Sequence, residues 1–190
     1  MTEVARRGPA LAQRVLDATL SLLGEVGYGF SIDELATRVG VHKTTVYRHW
    51  PTKATLVAAA MDRFAAATVP FPDSGRPVDD LGALAGLVAA SLRDPVGRRL
   101  LLALMAAAAE NPEVVDVAQR FLASRYAGAV ALIDAAQSTG ELRDDVDPSL
   151  VWRAFANPLH IASLLGEPLD DDAALVLWEL VLSGARPRTS

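Results

Sequence analysis

Apolar residues return along this chain at intervals of three and four, the spacing that places them on one face of an α-helix. Leu11, Val15, Leu16, Thr19, Leu23 and Val26 set the first stripe and predict a helix over 10–26, stopped by Gly27 and Gly29. Ser31 then stands where an N-cap belongs, with Glu34 three residues on, the spacing of a capping box. Ile32, Leu35, Ala36 and Val39 give about two turns of amphipathic helix before Gly40 breaks it. A third short helix is expected over 42–49; its apolar positions are only Val46 and Trp50, with Val41 just ahead. Pro51 ends it by disfavouring helical geometry at Trp50. Thr52 caps a fourth helix to about residue 67, with Leu56, Val57, Ala60, Met61 and Phe64 as its stripe.

Pro70, Pro72, Gly75 and Pro77 then interrupt the pattern. Beyond them five further helices are predicted: from Asp79 or Asp80 to about Leu92, from Asp94-Pro95 to near Asn111, 112–138, 148–165 and 170–183. No alternating pattern of useful length suggests a strand, and no internal repeat is present. The expected fold is all-α with about nine helices. The division it suggests is an N-terminal helical head, 1–53, and a C-terminal helical body, 54–190.

Composition narrows the class. Half of the chain is hydrophobic and mean hydropathy is +0.24, yet the run Leu100 to Ala109 is only ten residues long, too short to span a bilayer. Arg6 and Arg7 are not followed by an apolar segment of the signal-peptide kind. There is no cysteine, which removes disulfides, thiol chemistry and the commonest structural zinc ligands. A cytoplasmic protein without a cofactor is expected. Net charge is −5, which argues against a protein that coats nucleic acid with its whole surface. Residues 1–53, however, hold seven basic against five acidic residues, and the remainder eleven against eighteen. The two lysines of the chain, Lys43 and Lys53, both fall in the basic head.

The segment SIDELATRVGVHKTTVYRHW, residues 31–50, has the layout of a helix-turn-helix: a short amphipathic helix, a Gly-centred turn and a second short helix. In that second helix Val46 and Trp50 face inward, while Lys43, Thr44, Tyr47 and Arg48 share the opposite face with Thr45 at its border. A helix that buries so little and displays cationic, hydroxyl and aromatic donors suits the major groove, where such side chains read base edges. Lys53 starts the next helix, where an ammonium and free N–H groups together can hold a phosphate.

These residues carry a resemblance to a family. Residues 12–60, about a quarter of the chain, resemble the DNA-binding domain of the TetR family of bacterial repressors through G-Y-G-F-S, then I-D-E-L-A, then V-G-V-H-K-T-T-V-Y-R-H-W-P-T-K-A-T-L. The resemblance implies that Lys43, Thr44 and Thr45 form the base-reading stretch. It implies phosphate contacts for Tyr47, His49 and Lys53, and a cap at Ser31 that points the second helix at the backbone. Trp50 replaces a commoner Phe, and the exact partners of Thr44 and Arg48 stay open. The body resembles the family in layout, with the G-E-L-R-D-D-V-D-P run at 140–148 as a turn before the penultimate helix. By that resemblance the body binds a small-molecule effector, the last two helices make a homodimer, and the dimer represses from a palindromic operator of double-stranded DNA. Leu150, Phe155, Leu159, Leu175, Trp178 and Val181 are the expected interface residues, unless they fill the interior of one chain. Met105, Phe121, Tyr126, Trp152, Phe155 and His160 are candidates for lining an effector site, although such residues at helical spacing are more often core.

Other chemistry finds little support. His42 and His49 lack a third metal ligand at suitable spacing. Asp144, Asp145 and Asp147, and Asp170 to Asp172, precede helices and read as caps. No G-x-S-x-G, H-E-x-x-H, Walker loop or G-x-G-x-x-G fingerprint suggests an enzyme. The alternatives are a helical protein-interaction module, an activator, or a regulator without a ligand.

Overall fold

The computed structural model describes residues 3–187. They form nine α-helices: α1 Glu3–Val26, α2 Ile32–Val39, α3 Lys43–His49, α4 Lys53–Thr68, α5 Pro77–Arg93, α6 Pro95–Glu110, α7 Pro112–Ser138, α8 Pro148–Leu165 and α9 Asp171–Ala185. A single 3-10 turn, Gly27–Gly29, follows α1, and no strand occurs among the described residues. The all-α expectation holds. Two helix starts lie earlier than the apolar stripes suggested. α1 begins at Glu3, ahead of its first stripe residue Leu11, and α5 begins at Pro77 because proline at a first helical position needs no N–H partner.

The ends are set by caps that the sequence announces. Ser31 Oγ accepts from the Glu34 N–H at 3.0 Å, the serine half of the capping box. Gly40 closes α2 in the left-handed conformation, φ 74°, and donates to Ala36 and Thr37 carbonyls. Trp50 is extended before Pro51, with φ −131° and ψ 99°. Asp147 and Asp170 cap α8 and α9, accepting from Ser149 at 2.8 Å and from Ala173 at 2.5 Å. Asp145 instead pairs with Arg143 at 2.5 Å. The side chain of Asp171 lies outside the described residues. α8 continues through Pro158 as one helical element.

The chain divides into two compact units: residues 1–65 with 99–121, and 66–98 with 122–190. The first therefore adds most of α4, most of α6 and the start of α7 to the helix-turn-helix. Its core joins Leu22, Leu35, Val46 and Leu56 with Leu100, Leu104, Val114 and Val117, all buried. In the second unit α5, α8 and α9 pack on one another. At their centre Phe155 sits against Trp178 at 5.4 Å between centroids and 78° between planes, and Trp152 lies 5.5 Å from Phe155. Such edge-to-face contacts add to a large burial of apolar area.

Phe155 has no exposed surface. Phe155→Ala is expected to destabilise the second unit by about 3–5 kcal/mol. Denaturant unfolding followed by tryptophan fluorescence checks this, since Trp152 and Trp178 report on the same contact.

Candidate nucleic-acid interface

The candidate recognition helix, α3, makes little core of its own. Val46 is 1 % exposed and Trp50 and Thr45 are half-buried, while Lys43, Thr44, Tyr47, Arg48 and His49 are exposed. The helical period sorts them this way: Val46 and Trp50 are one turn apart and anchor one side, and the polar residues take the rest. Tyr47 is 45 % exposed, a large aromatic ring presented to solvent. The His49 and Trp50 rings lie 5.6 Å apart at 48°. Lys43 Nζ lies 3.2 Å from Asp33 Oδ1 on α2, with both side chains mostly in solvent. An exposed pair of this kind is worth at most about 1 kcal/mol, so it orients the lysine without withholding it from a stronger anion.

Because α3 buries so little, its placement depends on its neighbours. Arg14 on α1 donates to the Val39 carbonyl at 2.6 Å and braces the end of α2. Arg38 forks onto Glu25 at 2.9 and 3.0 Å, joining the C-terminal turns of α2 and α1. That bond, with a second from Ser21, holds the Glu25 carboxyl down at about 2. These braces were not read from the sequence, because partners 13 and 25 residues apart leave no periodic signal.

Ser31 stands where the motif requires it. Lys53 does not point freely at solvent as a phosphate ligand would. Its ammonium donates to the carbonyl of Tyr28 and, at 2.5 Å, to that of Phe30. It also lies 4.1 Å and 4.4 Å from the centroids of the Tyr28 and Phe30 rings. Burial lowers its pKa, and the charge of Glu113 opposes that shift. The ammonium thus has a structural part that the sequence did not announce. Two of the three donors of the ammonium are taken up by backbone carbonyls, and its charge lies over two rings.

The candidate effector residues scatter. Met105 and Phe121 are half-buried against the core of the first unit. Within the second unit Trp152 is 3 % exposed and Phe155 fully enclosed, so both are core. Tyr126 donates to Asn157 Oδ1 at 2.8 Å. His160 Nδ1 lies 2.7 Å from the Ala156 carbonyl, and burial lowers its pKa, as for a satisfied helix histidine. Open grooves of about 440 and 520 Å³ in the second unit are lined by other residues, among them Arg143 and Pro187 in one and Arg98 and Gly166 in the other.

The expected dimer residues also separate. Phe155, Leu159 and Trp178 are buried within their own unit and cannot reach a partner; they fill the interior of one chain. Val181 is half-buried. Leu150 and Leu175 are 61 % and 54 % exposed. Ile161, Leu165, Val176 and Leu180, which sequence reasoning passed over, are exposed as well. On α8 the residues 150, 154, 158, 161 and 165 are all exposed and spaced by one turn, so the outer face of α8 is an apolar stripe.

A short helix fixed by its neighbours, displaying cationic and hydroxyl side chains, defines a helix-turn-helix DNA-binding protein. Comparison with known proteins agrees. The family described as "Bacterial regulatory proteins, tetR family" matches residues 15–60, and "Tetracyclin repressor-like, C-terminal domain" matches 71–181. The chain is 31 % identical over 183 residues to the HTH-type transcriptional regulator AqdR of Rhodococcus erythropolis, covering 94 % of this chain and 86 % of that one. It is 31 % identical to the DNA-binding transcriptional repressor TetR of Mycobacteroides abscessus, covering 87 % and 88 %. Among solved structures it resembles the TetR family transcription regulator SCO0332, with TM-score 0.76, 29 % identity, and coverage of 93 % and 99 %. The chain belongs to the TetR family of DNA-binding transcriptional regulators. The relatives it matches are named as transcriptional regulators. No helix among the described residues is long and apolar enough to cross a membrane.

The structural part played by Lys53 predicts a measurable asymmetry. Lys53→Met keeps the aliphatic stem but leaves two carbonyls without their charged donor, and is expected to cost about 1–3 kcal/mol of stability without DNA present. Thermal unfolding checks this; a residue that touched only phosphate would leave the melting temperature unchanged.

Proposed function

We propose that this protein is a homodimeric repressor that binds a two-fold symmetric operator and leaves it when a small molecule binds the C-terminal helices. The observation that carries the reading is the outward face of α3, which commits only Val46 to the core and presents Lys43, Thr44, Tyr47, Arg48 and His49. In this proposal Lys43, Thr44, Thr45 and Arg48 approach base edges, while Tyr47 and His49 meet phosphates. Ser31 orients α2 toward the backbone through its cap. Lys53 contributes by holding the motif together. The head is the part that touches DNA and the rest of the chain serves effector binding and dimerisation.

Dimerisation is supported by the exposed apolar stripe of α8 together with Leu175, Val176 and Leu180 of α9. Six large apolar residues at 54–69 % exposure on two neighbouring helices mark a surface that is covered in use. Repression is supported by the relative named a repressor. Effector release follows the family. Tyr126, held by Asn157, is the candidate polar contact in the second unit. Physically the effector must bind one of two global states more tightly than the other.

Selection from random duplex DNA followed by mobility-shift titration tests the DNA reading. Affinity for the enriched duplex is expected to fall steeply with salt, as counterions are released from contacted phosphates. Lys43→Ala should change the preferred bases, and Tyr47→Phe should weaken binding to all sequences by a similar factor. No enrichment over input DNA contradicts the reading. Leu165→Glu combined with Leu180→Glu is expected to yield monomers in sedimentation velocity and to abolish operator binding at nanomolar protein. A dimer that survives both substitutions refutes the assigned interface.

A further inference from the structure

Phe30 immediately precedes Ser31, and Lys53 follows Trp50 by three residues. By holding the carbonyls of Tyr28 and Phe30, the Lys53 ammonium staples the two ends of the helix-turn-helix to each other. A third element reaches this staple within the same compact unit. Glu113 lies in the first turn of α7, and its Oε1 accepts a hydrogen bond from the Tyr28 hydroxyl at 3.1 Å. One tyrosine thus meets Lys53 with its face and its backbone, and Glu113 with its hydroxyl. Behind it Val114 and Val117, also on α7, are buried in the core that holds Leu35 and Val46. The carboxylate is therefore carried by a turn that is itself packed against the motif. Burial, reinforced by the Glu113 hydrogen bond, raises the Tyr28 pKa and keeps the hydroxyl a donor.

We infer that Glu113 is a positioning residue for operator recognition: through Tyr28 and Lys53 it fixes the two ends of the helix-turn-helix in the geometry in which α3 meets DNA. Glu113 lies on a different helix from every proposed DNA contact, and its carboxylate would repel phosphate. Its effect on binding runs through the tyrosine. The inference rests on α3 being the reading element. The turn Gly27–Gly29, which Tyr28 centres, packs no buried side chain of its own. Tyr28 packs against the core only partly buried, and the bonds that Lys53 and Glu113 make add to what holds the turn.

The test uses the full-length protein and the duplex that the wild type enriches. Glu113→Ala and Tyr28→Phe are each expected to weaken binding to that duplex about three- to tenfold, with less than a twofold change on unrelated DNA. The double variant should lose no more than either single one, because the two changes remove the same bond. Glu113→Gln retains an acceptor oxygen and should restore most of the affinity, which a merely acidic or merely helix-capping part for Glu113 does not predict. In the absence of DNA, backbone amides of residues 27–31 should exchange faster in Glu113→Ala and return toward wild type in Glu113→Gln. Unchanged exchange, unchanged operator affinity, or losses that add in the double variant each overturn the inference. A wild-type protein that enriches no sequence contradicts the α3 reading itself, and the exchange measurement then decides separately whether the Tyr28–Glu113 tie holds the turn.

Discussion

The reading head depends on one half-buried cation, Lys53. α3 brings Val46 alone into the core, and a helix of seven residues cannot hold itself in place by its own hydrogen bonds. Its position is inherited from what surrounds it. Lys53 supplies the decisive contact, since its ammonium takes up carbonyls of Tyr28 and Phe30 on the far side of the motif while its charge lies on their rings. Those carbonyls belong to a turn outside any regular helix and would otherwise lack strong donors. A charge-assisted bond at that point both satisfies the turn and closes the motif. The outward face of α3 is then free to be almost wholly polar, because nothing on it is needed for folding.

The second unit solves a different problem with the same residue types. Phe155, Trp152 and Trp178 form an aromatic centre, and the adjoining outer faces of α8 and α9 stay apolar although exposed. A helix that is hydrophobic on both sides is either buried in a large core or shared with another molecule. In a unit of this size the second side has no core of its own to enter. This is the physical basis for expecting a partner on that side and for assigning it to a second copy of the chain.

Local features of the fold were legible in the sequence because they are short-range. The Ser31 cap, the Gly40 stop, the extended Trp50 before Pro51 and the Asp147 and Asp170 caps all depend on residues within a few positions of one another. The outward set on α3 was legible for the same reason, as helical period alone sorts it from Val46. What escaped were decisions made across the fold. Periodicity marks Phe155, Leu159 and Trp178 as apolar-facing but does not say whether that face meets its own chain or a partner; the structure closes them inside. The place of Lys53 at a helix start suggested an anion, but gave no sign of its bonds to carbonyls 23 and 25 residues earlier. Glu113 had no local signal at all, since its partner Tyr28 is 85 residues away.

The central proposal is that paired α3 helices read successive major grooves on one face of the operator. Methylation interference on the enriched duplex tests it most directly, because guanine N7 is exposed only in the major groove. The account predicts two symmetric clusters of interfering guanines in successive major grooves, centred about one helical turn or a whole multiple of it apart. Interference confined to a single cluster, or spread evenly without regard to sequence, would contradict it.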